Sequence, residues 1–596
     1  MDGAKTERLN WWLLLGLFAL IIAAFIARTV FNSGTTPLLN DTDDAMRLTV
    51  IRDFLAGQGW YDLVQHRLNT PFGAEIHWSR LIDLPIAGLV LLLRPFAGNL
   101  AETIALYVWP LALLLVLLWL NGKLVLTLVG RDGILPALAL PAFSLITMAE
   151  FVPGRIDHHS VQILLMLLTL FCSLQALERP RFAIGAGLAA ATALAIGIDS
   201  LPFVGAAILS FGLMWVFVPG RAASLRGFGV SFGLATALHL GLAVPPERWL
   251  VPVCDAISPV YAGLALGTGL AFLLLSLLPM PQRPVWPRLL TGIGAGAALA
   301  LALALLFPAC LRGPYANLDP WLLDHWINRI TEALPFWVSL LRDPTYPIAV
   351  GLPPLLAVLV VLWRVFRGPV EGRAAWLVYA VFLLLAVAAM LLQIRMVRLA
   401  TSLSVPAGAY LIVMARNRYL ATRRPWRVIP LIGSWLAFAG IAIAIVVAGV
   451  IALFPDYQDS IADPRLASRI SCRMPEAFAD LAALPPERIM APIDLGAHLL
   501  AFTPHEVVAA PYHRNVEGVR DAFAFFNEPI DTARNILERR GIGLVVICPT
   551  MPEMRGTGEV AADSFVRLYP EGRLPAWLVD QSLAEGPLKV FAVMPR

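Results

Sequence analysis

The sequence is dominated by a succession of apolar stretches, each about as long as a helix that crosses a lipid bilayer. A spanning helix needs about 20 apolar residues at a rise of about 1.5 Å per residue. Only 14% of the residues are charged, whereas soluble domains carry about 25%. The chain is therefore predicted to be a polytopic α-helical membrane protein. The roughly thirteen predicted spans lie near 11–31, 103–120, 133–149, 159–177, 183–198, 201–218, 227–244, 259–279, 289–309, 346–363, 374–393, 400–415 and 428–454.

The basic residues indicate how the chain is threaded. Arginine and lysine concentrate in alternate connections, as in Arg179 with Arg181 and Arg221 with Arg226, while the intervening connections are poor in them. Because basic loops remain in the cytoplasm, we expect a multi-pass protein of the inner (plasma) membrane. Its N-terminus would be cytoplasmic and its C-terminal domain periplasmic. The net charge of +4 is spread along the chain and does not suggest nucleic acid as a partner.

Two parts of the chain differ in composition. Residues 1–455 form the predicted membrane domain, which includes two outer loops at 32–102 and 310–345. The first loop contains an apolar segment, 84–93, that is too short to span. Residues 456–596, the tail, are polar and long enough for an α/β domain. Its predicted elements are strands at 488–492, 506–510, 543–548 and 588–594, and a helix at 529–540 that ends at Gly541.

Acidic residues gather at two places that this threading brings to the same outer face. Asp41, Asp43 and Asp44 follow the first apolar stretch, and Asp157-His158-His159 lies between two later ones. Carboxylates with one imidazole favour Mg²⁺ or Mn²⁺ over Zn²⁺. Asp43 and Asp44 would complete the ligand shell or bind substrate. The structural alternative is that Asp157 caps a helix and that His159 faces lipid head groups.

Short motifs here resemble those of oligosaccharyltransferase catalytic subunits, which are GT-C glycosyltransferases. Asp41 followed by Arg47 resembles their first acidic motif, and Asp157-His158-His159 resembles their second. Thr331-Glu332 resembles the glutamate motif of their external loop. The resemblance implies that Asp41, Asp157 and His159 ligate the metal and that Asp41, Asp157 and Glu332 act in catalysis. It also implies a GT-C membrane domain and a polyprenyl-phosphate or polyprenyl-pyrophosphate sugar donor.

One motif of those enzymes is missing. The protein-glycosylating members carry Trp-Trp-Asp-Tyr-Gly in their outer domain, where it binds the acceptor sequon, and this tail has nothing like it. The acceptor is therefore left open as a glycan, a lipid or a protein. Tyr512-His513-Arg514-Asn515, after a predicted strand, is either a capping turn or an element that faces the acceptor.

Other polar residues are candidates for substrate binding. Arg395 and Arg398 lie three residues apart at the outer end of a span, so they share a helix face. They would hold a donor phosphate or contact lipid head groups. His77 and Arg80 belong to a polar segment that enters the bilayer. These two residues would bind substrate or brace the first loop.

Four of the five cysteines fall on the outer side. Cys254 and Cys310 begin neighbouring loops, and Cys472 and Cys548 lie in the tail. An even number of cysteines facing an oxidising compartment permits disulfides, so we predict the pairs Cys254–Cys310 and Cys472–Cys548. The alternative is four unpaired buried thiols. Cys172 lies within a span.

The apolar stretches contain almost no ionisable residues apart from His239, so the polar chemistry is concentrated at the outer surface. This distribution favours a site at the membrane surface over a path through the bilayer. Together with the resemblance, it predicts a metal-dependent glycosyltransferase that transfers a sugar or oligosaccharide from a lipid-linked donor at the periplasmic face. A transporter or flippase of lipid-linked glycans is the main alternative, and it would need a polar cavity that reaches mid-membrane. A third possibility is a non-catalytic protein of envelope assembly whose tail binds partners.

Overall fold

The structure, a computed structural model, describes residues 9–31, 38–279, 284–315, 318–455, 457, 466–556, 558–582 and 586–595. Within these residues, nine helices are long and apolar enough to cross a membrane, or ten if one bent pair forms a single span. The predicted class is confirmed: a polytopic helical membrane protein with a sheet-containing C-terminal domain. The longer helices of residues 1–455 are Trp11–Phe31, Thr42–Leu55, Arg80–Ala97, Ala101–Leu128, His159–Gln175, Phe182–Ile196, Leu201–Phe217, Ala222–Ala243, Pro259–Leu277, Val285–Leu306, Thr345–Arg367, Arg373–Leu392, Val397–Thr422, Val428–Leu436 and Gly440–Ile451.

Two predicted spans are not continuous helices. The stretch 133–149 is divided into Ile134–Ala139, a 3-10 turn and Leu145–Ala149. Pro141 lacks the amide hydrogen that a helix interior needs, and Ser144 is extended and caps the following turn. The stretch 428–454 bends by 97° between its two helices. Both breaks lie inside uniformly apolar sequence, where hydropathy alone gives no signal.

The apolar segment 84–93 is part of a longer helix than expected. Arg80–Ala97 has 18 residues and an amphipathic pattern. Its polar residues Arg80 and Asp83 are buried, whereas Leu92 and Phe96 are 67% and 87% exposed. An exposed apolar face beside a buried polar one is expected of a helix that contacts lipid on one side.

The first loop and the tail share one apolar core. Met46 and Trp78 of the loop pack in the same cluster as Ile489 and Val545 of the tail. The loop also forms a two-stranded hairpin, β1 (Val64–Gln65) with β2 (Ala74–Glu75). Backbone bonds join the two parts directly, since the Thr70 amide donates to the Val507 carbonyl at 3.1 Å. This packing fixes the tail against the membrane domain.

The tail is built on a mixed five-stranded sheet. Its strands are β3 (Arg488–Met490), β4 (Glu506–Val507), β5 (Leu544–Ile547), β6 (Leu578–Asp580) and β7 (Lys589–Val593). Their order in the sheet is β4-β3-β5-β7-β6. β3 pairs in parallel with β4 and β5, and β7 pairs antiparallel with β5 and β6. Strand β6 had no counterpart among the predicted strands. The longer helices of the tail are Ile493–Phe502, Val516–Asn527 and Ile530–Arg540.

Two disulfides are present. Cys254–Cys310 joins the loop after Ala222–Ala243 to the loop after Val285–Leu306, with a Cα–Cα distance of 5.4 Å. Cys472–Cys548 ties the first part of the tail to the end of β5, with a Cα–Cα distance of 6.1 Å. Cys172 is a buried free thiol.

Candidate functional site

A cavity of about 680 Å³ opens where the first loop, the ends of the long helices and the tail meet. Helix ends and loops of the membrane domain contribute His158, His159, Asp199 and Arg395. The tail contributes the segment around His513. The cavity therefore brings together polar side chains that lie far apart in the sequence.

Beside the cavity lies a group of charged residues that we call the Asp157 cluster, of which His158 and His159 line the cavity. It contains Asp41, Asp44, Glu150, Arg155, Asp157, His158 and His159. The Arg155 guanidinium lies among the four carboxylates, with Nη1 at 2.8 Å from Asp41 Oδ2 and 3.0 Å from Asp44 Oδ2. Its Nε is 3.4 Å from Glu150 Oε2 and its Nη2 is 3.7 Å from Asp157 Oδ2. Arg47 and Arg398 also approach Asp157 and Glu150, at 3.6 and 3.7 Å. The carboxylates still outnumber the guanidinium groups, so the cluster can accept a further cation.

Asp157 and His159 present their free electron pairs to each other. The Gln162 amide donates to the Gly197 carbonyl, so its oxygen accepts from His159 Nδ1 at 3.1 Å. That bond leaves His159 Nε2 without a proton. Nε2 is 3.3 Å from Asp157 Oδ2, a buried oxygen that accepts no hydrogen bond from the described residues.

These two atoms fit a divalent cation. Neighbouring ligands of an octahedral ion, each about 2.1 Å from it, are about 3 Å apart. The ligand atoms of Asp157, His158 and His159 all lie within 4.8 Å of one another. Among the predicted ligands, the structure brings Asp157 and His159 together. Asp41 is linked to them through Arg155.

The helix Thr42–Leu55 positions the other acidic residues. Asp41 is its N-cap and accepts from the Asp43 amide at 3.0 Å. Asp44 points inward, where its Oδ1 accepts from the Ile156 and Asp157 amides at 2.9 and 3.0 Å. Burial raises the pKa of Asp44 to about 7, although Arg155 opposes the shift. Asp44 therefore holds the Asp157 loop against the helix.

Arg47 and Arg80 hold the first loop in place. Arg47 Nη1 is 2.7 Å from Asp83 Oδ1, and its Nη2 is 3.6 Å from Asp157 Oδ1. Its guanidinium lies over the Trp78 ring at 4.4 Å. Arg80 is 2% exposed and donates to the carbonyls of Val50 and Asp62. Arg80 therefore braces the first loop, and it is not among the residues that line the cavity.

Two arginines at the start of the helix Val397–Thr422 are loosely paired. Arg395 Nη2 is 3.3 Å from Asp199 Oδ1 and 3.4 Å from the Tyr315 hydroxyl. Arg398 is 3.7 Å from both Glu150 and Glu332, and its buried Nη1 makes no hydrogen bond to the described residues. Glu332 is 59% exposed. An anionic ligand could replace these long contacts with closer charge-assisted hydrogen bonds.

A second group of charged residues, the Asp255 cluster, includes His77, which was predicted to bind substrate or brace the first loop, but the cluster as a whole was not predicted as a site. It contains Glu75, His77, Arg248, Asp255, His513 and Arg514, all of which line the cavity. The sequence offered one signal for it, because Tyr512-His513-Arg514-Asn515 was proposed as an element that faces the acceptor. The Tyr512 hydroxyl also reaches Asp43 Oδ1 at 3.2 Å. Nothing in the sequence around Asp255 pointed to its role.

Comparison with solved structures identifies the fold. No known protein-family profile and no curated protein sequence matches this chain. The archaeal oligosaccharyltransferase AglB from Archaeoglobus fulgidus, solved with an inhibitory peptide and a dolichol-phosphate, is similar with a TM-score of 0.66. The two proteins are 13% identical, and the match covers 91% of this chain and 70% of the archaeal one. The chain has the fold of this archaeal oligosaccharyltransferase.

Two further structures of the Archaeoglobus fulgidus oligosaccharyltransferase support the same fold. Its complex with Zn and sulfate matches with a TM-score of 0.56 at 13% identity, over 91% of this chain and 68% of that one. The form tethered to an acceptor peptide containing the NVT sequon matches with a TM-score of 0.58 at 14% identity, over 90% and 69%. In this GT-C fold the cavity lies between the membrane domain and the tail.

Proposed function

We propose that the protein is a GT-C glycosyltransferase that transfers a sugar or oligosaccharide from a polyprenyl-phosphate or polyprenyl-pyrophosphate donor to an acceptor. The observation that carries this proposal is one cavity lined by Arg395 and by the two histidines of the Asp157 cluster, in a chain with the fold of an oligosaccharyltransferase. We further propose that the cavity faces the periplasm of a plasma-membrane protein, with the N-terminus in the cytoplasm. The alternation of basic loops supports this orientation.

The Asp157 cluster would hold a divalent metal. Asp157 Oδ2 and His159 Nε2 are the two ligand atoms that the geometry supports best. Asp41 would join them when its carboxylate leaves Arg155. One carboxylate and one imidazole suit Mg²⁺ or Mn²⁺ and also admit Zn²⁺, the ion in one complex of the archaeal relative. A bound cation would offset the negative charge that grows on the departing phosphate.

The arginines would bind the donor phosphate. Arg395 lines the cavity, and it would exchange its long contacts with Asp199 and Tyr315 for phosphate oxygens. Glu332 also lines the cavity, and its side-chain contact of 3.7 Å with Arg398 would adjust as the phosphate enters. The lipid part of the donor would remain in the bilayer beside the apolar helices.

The reaction exchanges one bond of the donor sugar for another. The acceptor nucleophile forms a bond to the anomeric carbon as the bond from that carbon to the phosphate oxygen breaks. The phosphate leaves with the electron pair, and the acceptor proton passes to a cavity carboxylate. Asp43, held by Tyr512, would orient the acceptor in this step.

A transporter is less well supported. A lipid-linked glycan flippase needs a polar path through the membrane. The residues that line this cavity come from loops, helix ends and the tail. That arrangement suits chemistry at the membrane surface.

Donor cleavage tests the proposal. Purified protein in lipid nanodiscs receives polyprenyl-phosphate carrying a labelled hexose, and release of polyprenyl phosphate is measured with Mn²⁺ present. We expect Asp157→Asn to lower the rate about 10³-fold. Asp132→Asn is the matched control, because Asp132 also pairs with an arginine, Arg416, at 2.9 Å but does not line the cavity. Equal rates for wild type and Asp157→Asn would overturn the proposal.

A further inference from the structure

The tail side of the cavity is a closed network of ion pairs. Asp255 Oδ2 accepts from His513 Nε2 at 2.7 Å and from Arg514 Nε at 2.9 Å, and its Oδ1 accepts from Arg514 Nη2 at 2.9 Å. Arg514 Nη1 also donates to Glu75 Oε1 at 2.7 Å, and Arg248 donates to Glu75 Oε2 at 2.8 Å. Every carboxylate oxygen in this network has a partner.

The charges of this network cancel. Two carboxylates face two guanidinium groups, so no net positive charge remains to attract a phosphate. The polar atoms are also held in fixed positions by bidentate pairing. Such a surface offers hydrogen bonds to a neutral ligand with many hydroxyl groups. It would penalise a ligand that cannot make hydrogen bonds, because the polar groups would be left without water.

Flat rings lie beside the network. The rings of His77 and His513 are 4.5 Å apart, and Tyr315 meets His513 edge-on at 5.7 Å. Trp78 meets Tyr512 edge-on at 5.3 Å. Rings of this kind combine an apolar face with a polar edge. They can pack against the C–H face of a pyranose while the ion-paired groups bind its hydroxyls.

His77 provides an unsatisfied polar atom in this wall. It lines the cavity, and its buried Nδ1 makes no hydrogen bond to the described residues. Buried polar atoms nearly always have a partner, so this atom indicates that a ligand or water completes the site. His77 reaches this position from the first loop, whereas His513 comes from the tail.

We propose that the acceptor is a saccharide and that this wall, formed by His77, Asp255, Tyr315, His513 and Arg514, binds it. The inference rests on the proposed transferase function and names the class of its acceptor. A peptide is disfavoured by the lack of a sequon-binding motif in the tail, and an acyl chain is disfavoured by the charged groups. The reacting hydroxyl of the saccharide would then face the Asp157 cluster across the cavity.

The first test compares acceptor classes. Nanodisc-embedded protein with labelled polyprenyl-phosphate hexose and Mn²⁺ is given one of three preparations: delipidated, protease-treated envelope polysaccharide, a peptide containing Asn-x-Thr, or extracted envelope lipids. We expect label to enter the polysaccharide at a rate at least tenfold above that for the other two. Label that enters only the peptide or only the lipid overturns the inference.

The second test uses variants of the wall. Asp255→Asn should raise the KM for the polysaccharide about tenfold, while hydrolysis of the donor by water falls by less than threefold. Glu247→Gln is the matched control, because Glu247 is an exposed carboxylate on the same loop, and it should leave both quantities as in wild type. An unchanged KM in both Asp255→Asn and His77→Gln would contradict the assignment.

The two proposals fail differently. If no polyprenyl phosphate is released in the presence or absence of any acceptor, the transferase function itself is wrong. If the donor is hydrolysed but no label reaches a saccharide, only the acceptor class is wrong. The thermal midpoint of each variant, measured in the same nanodiscs, separates loss of binding from loss of folding.

Discussion

The cavity joins two clusters of charged side chains that are built in opposite ways. In the Asp157 cluster four carboxylates surround Arg155, with Arg47 and Arg398 at longer range, and Asp157 Oδ2 accepts no hydrogen bond from the described residues. In the Asp255 cluster each oxygen of Asp255 and Glu75 is paired. The first cluster can still bind a cation, whereas in the second every carboxylate oxygen already accepts a hydrogen bond.

Asp255 and Asp44 differ in charge state because burial raises the pKa of a carboxyl group and nearby hydrogen-bond donors lower it. Burial would raise the pKa of Asp255, but the hydrogen bonds from His513 and Arg514 outweigh it and lower the pKa below its ordinary range. For Asp44 burial prevails over Arg155, and its pKa rises to about 7. Both carboxylates have donors, so the balance between burial and those donors decides the charge state: Asp255 stays ionised, whereas Asp44 keeps a proton up to about pH 7. The comparison assigns cation chemistry to one side of the cavity and recognition to the other.

The largest expected contrast is between the two histidines that contact these carboxylates. His159→Gln removes the Nε2 atom that faces Asp157, so donor cleavage should fall about 100-fold. His513→Gln removes one of the donors to Asp255 and should lower donor cleavage by less than threefold. Release of polyprenyl phosphate measures both. Similar losses of donor cleavage in the two variants would mean that the two clusters do not have separate roles in cation binding and acceptor recognition.

The effect of a metal ion on stability should depend on the Asp157 cluster and not on the Asp255 cluster. Adding Mn²⁺ to metal-free protein should raise the thermal midpoint of wild type by a few degrees, because the ion binds only the folded state. The shift should vanish in Asp157→Asn and remain in Asp255→Asn. Differential scanning fluorimetry in detergent measures the midpoint. A shift that persists in Asp157→Asn would place the cation elsewhere.

The sequence predicted the class of fold because that information is local. Apolar stretches mark the spans, and short β-rich runs mark four of the five strands of the tail sheet. The bend before Gly440 was not predicted, because the sequence there is apolar throughout. The structure shows a close approach at this point, since a Cβ at Gly440 would lie 3.0 Å from the Ala349 carbonyl oxygen. That constraint comes from a distant helix.

The same distinction applies to the site. Asp157 and His159 were predicted because polar residues between two apolar stretches lie at the membrane surface and because Asp157-His158-His159 resembles a motif of oligosaccharyltransferases. Arg155 was not assigned a role, since its place among the carboxylates depends on how the helix Thr42–Leu55 docks. Asp255 was missed because its partners belong to the tail, more than 250 residues away along the chain. Docking of separate parts cannot be seen in local patterns.

The disulfide next to Asp255 provides a test of intermediate size. Replacing Cys254 and Cys310 by serine should destabilise the protein by about 2–4 kcal/mol and raise the acceptor KM, because the Asp255 loop loses its tether. The Mn²⁺-induced shift should stay. Replacing Cys472 and Cys548 is the control, since that disulfide lies away from the cavity wall. An unchanged acceptor KM after loss of the first disulfide would mean that the ion pairs alone hold the wall.

The smallest effect concerns the dependence of stability on pH. Asp44 has a folded pKa of about 7 and an unfolded pKa of about 3.9. Between these values the folded protein holds a proton that the unfolded chain has released, so the Asp44 contribution to stability falls as pH rises from about 4 to 7. Asp44→Asn should remove a slope of at most about 1.4 kcal/mol per pH unit.

Asp255→Asn should behave differently in the same measurement. The lowered pKa of Asp255 keeps it ionised in the folded protein, and above about pH 5 it is ionised in the unfolded chain as well. Its contribution is therefore constant between pH 5 and 8 and would be lost only at lower pH, so this variant should lower the whole stability curve without changing its slope. Thermal midpoints from pH 5 to 8 in metal-free detergent solution test both variants. If the slope of stability against pH changed in Asp255→Asn and not in Asp44→Asn, Asp255 and not Asp44 would be the carboxyl group that titrates in this range.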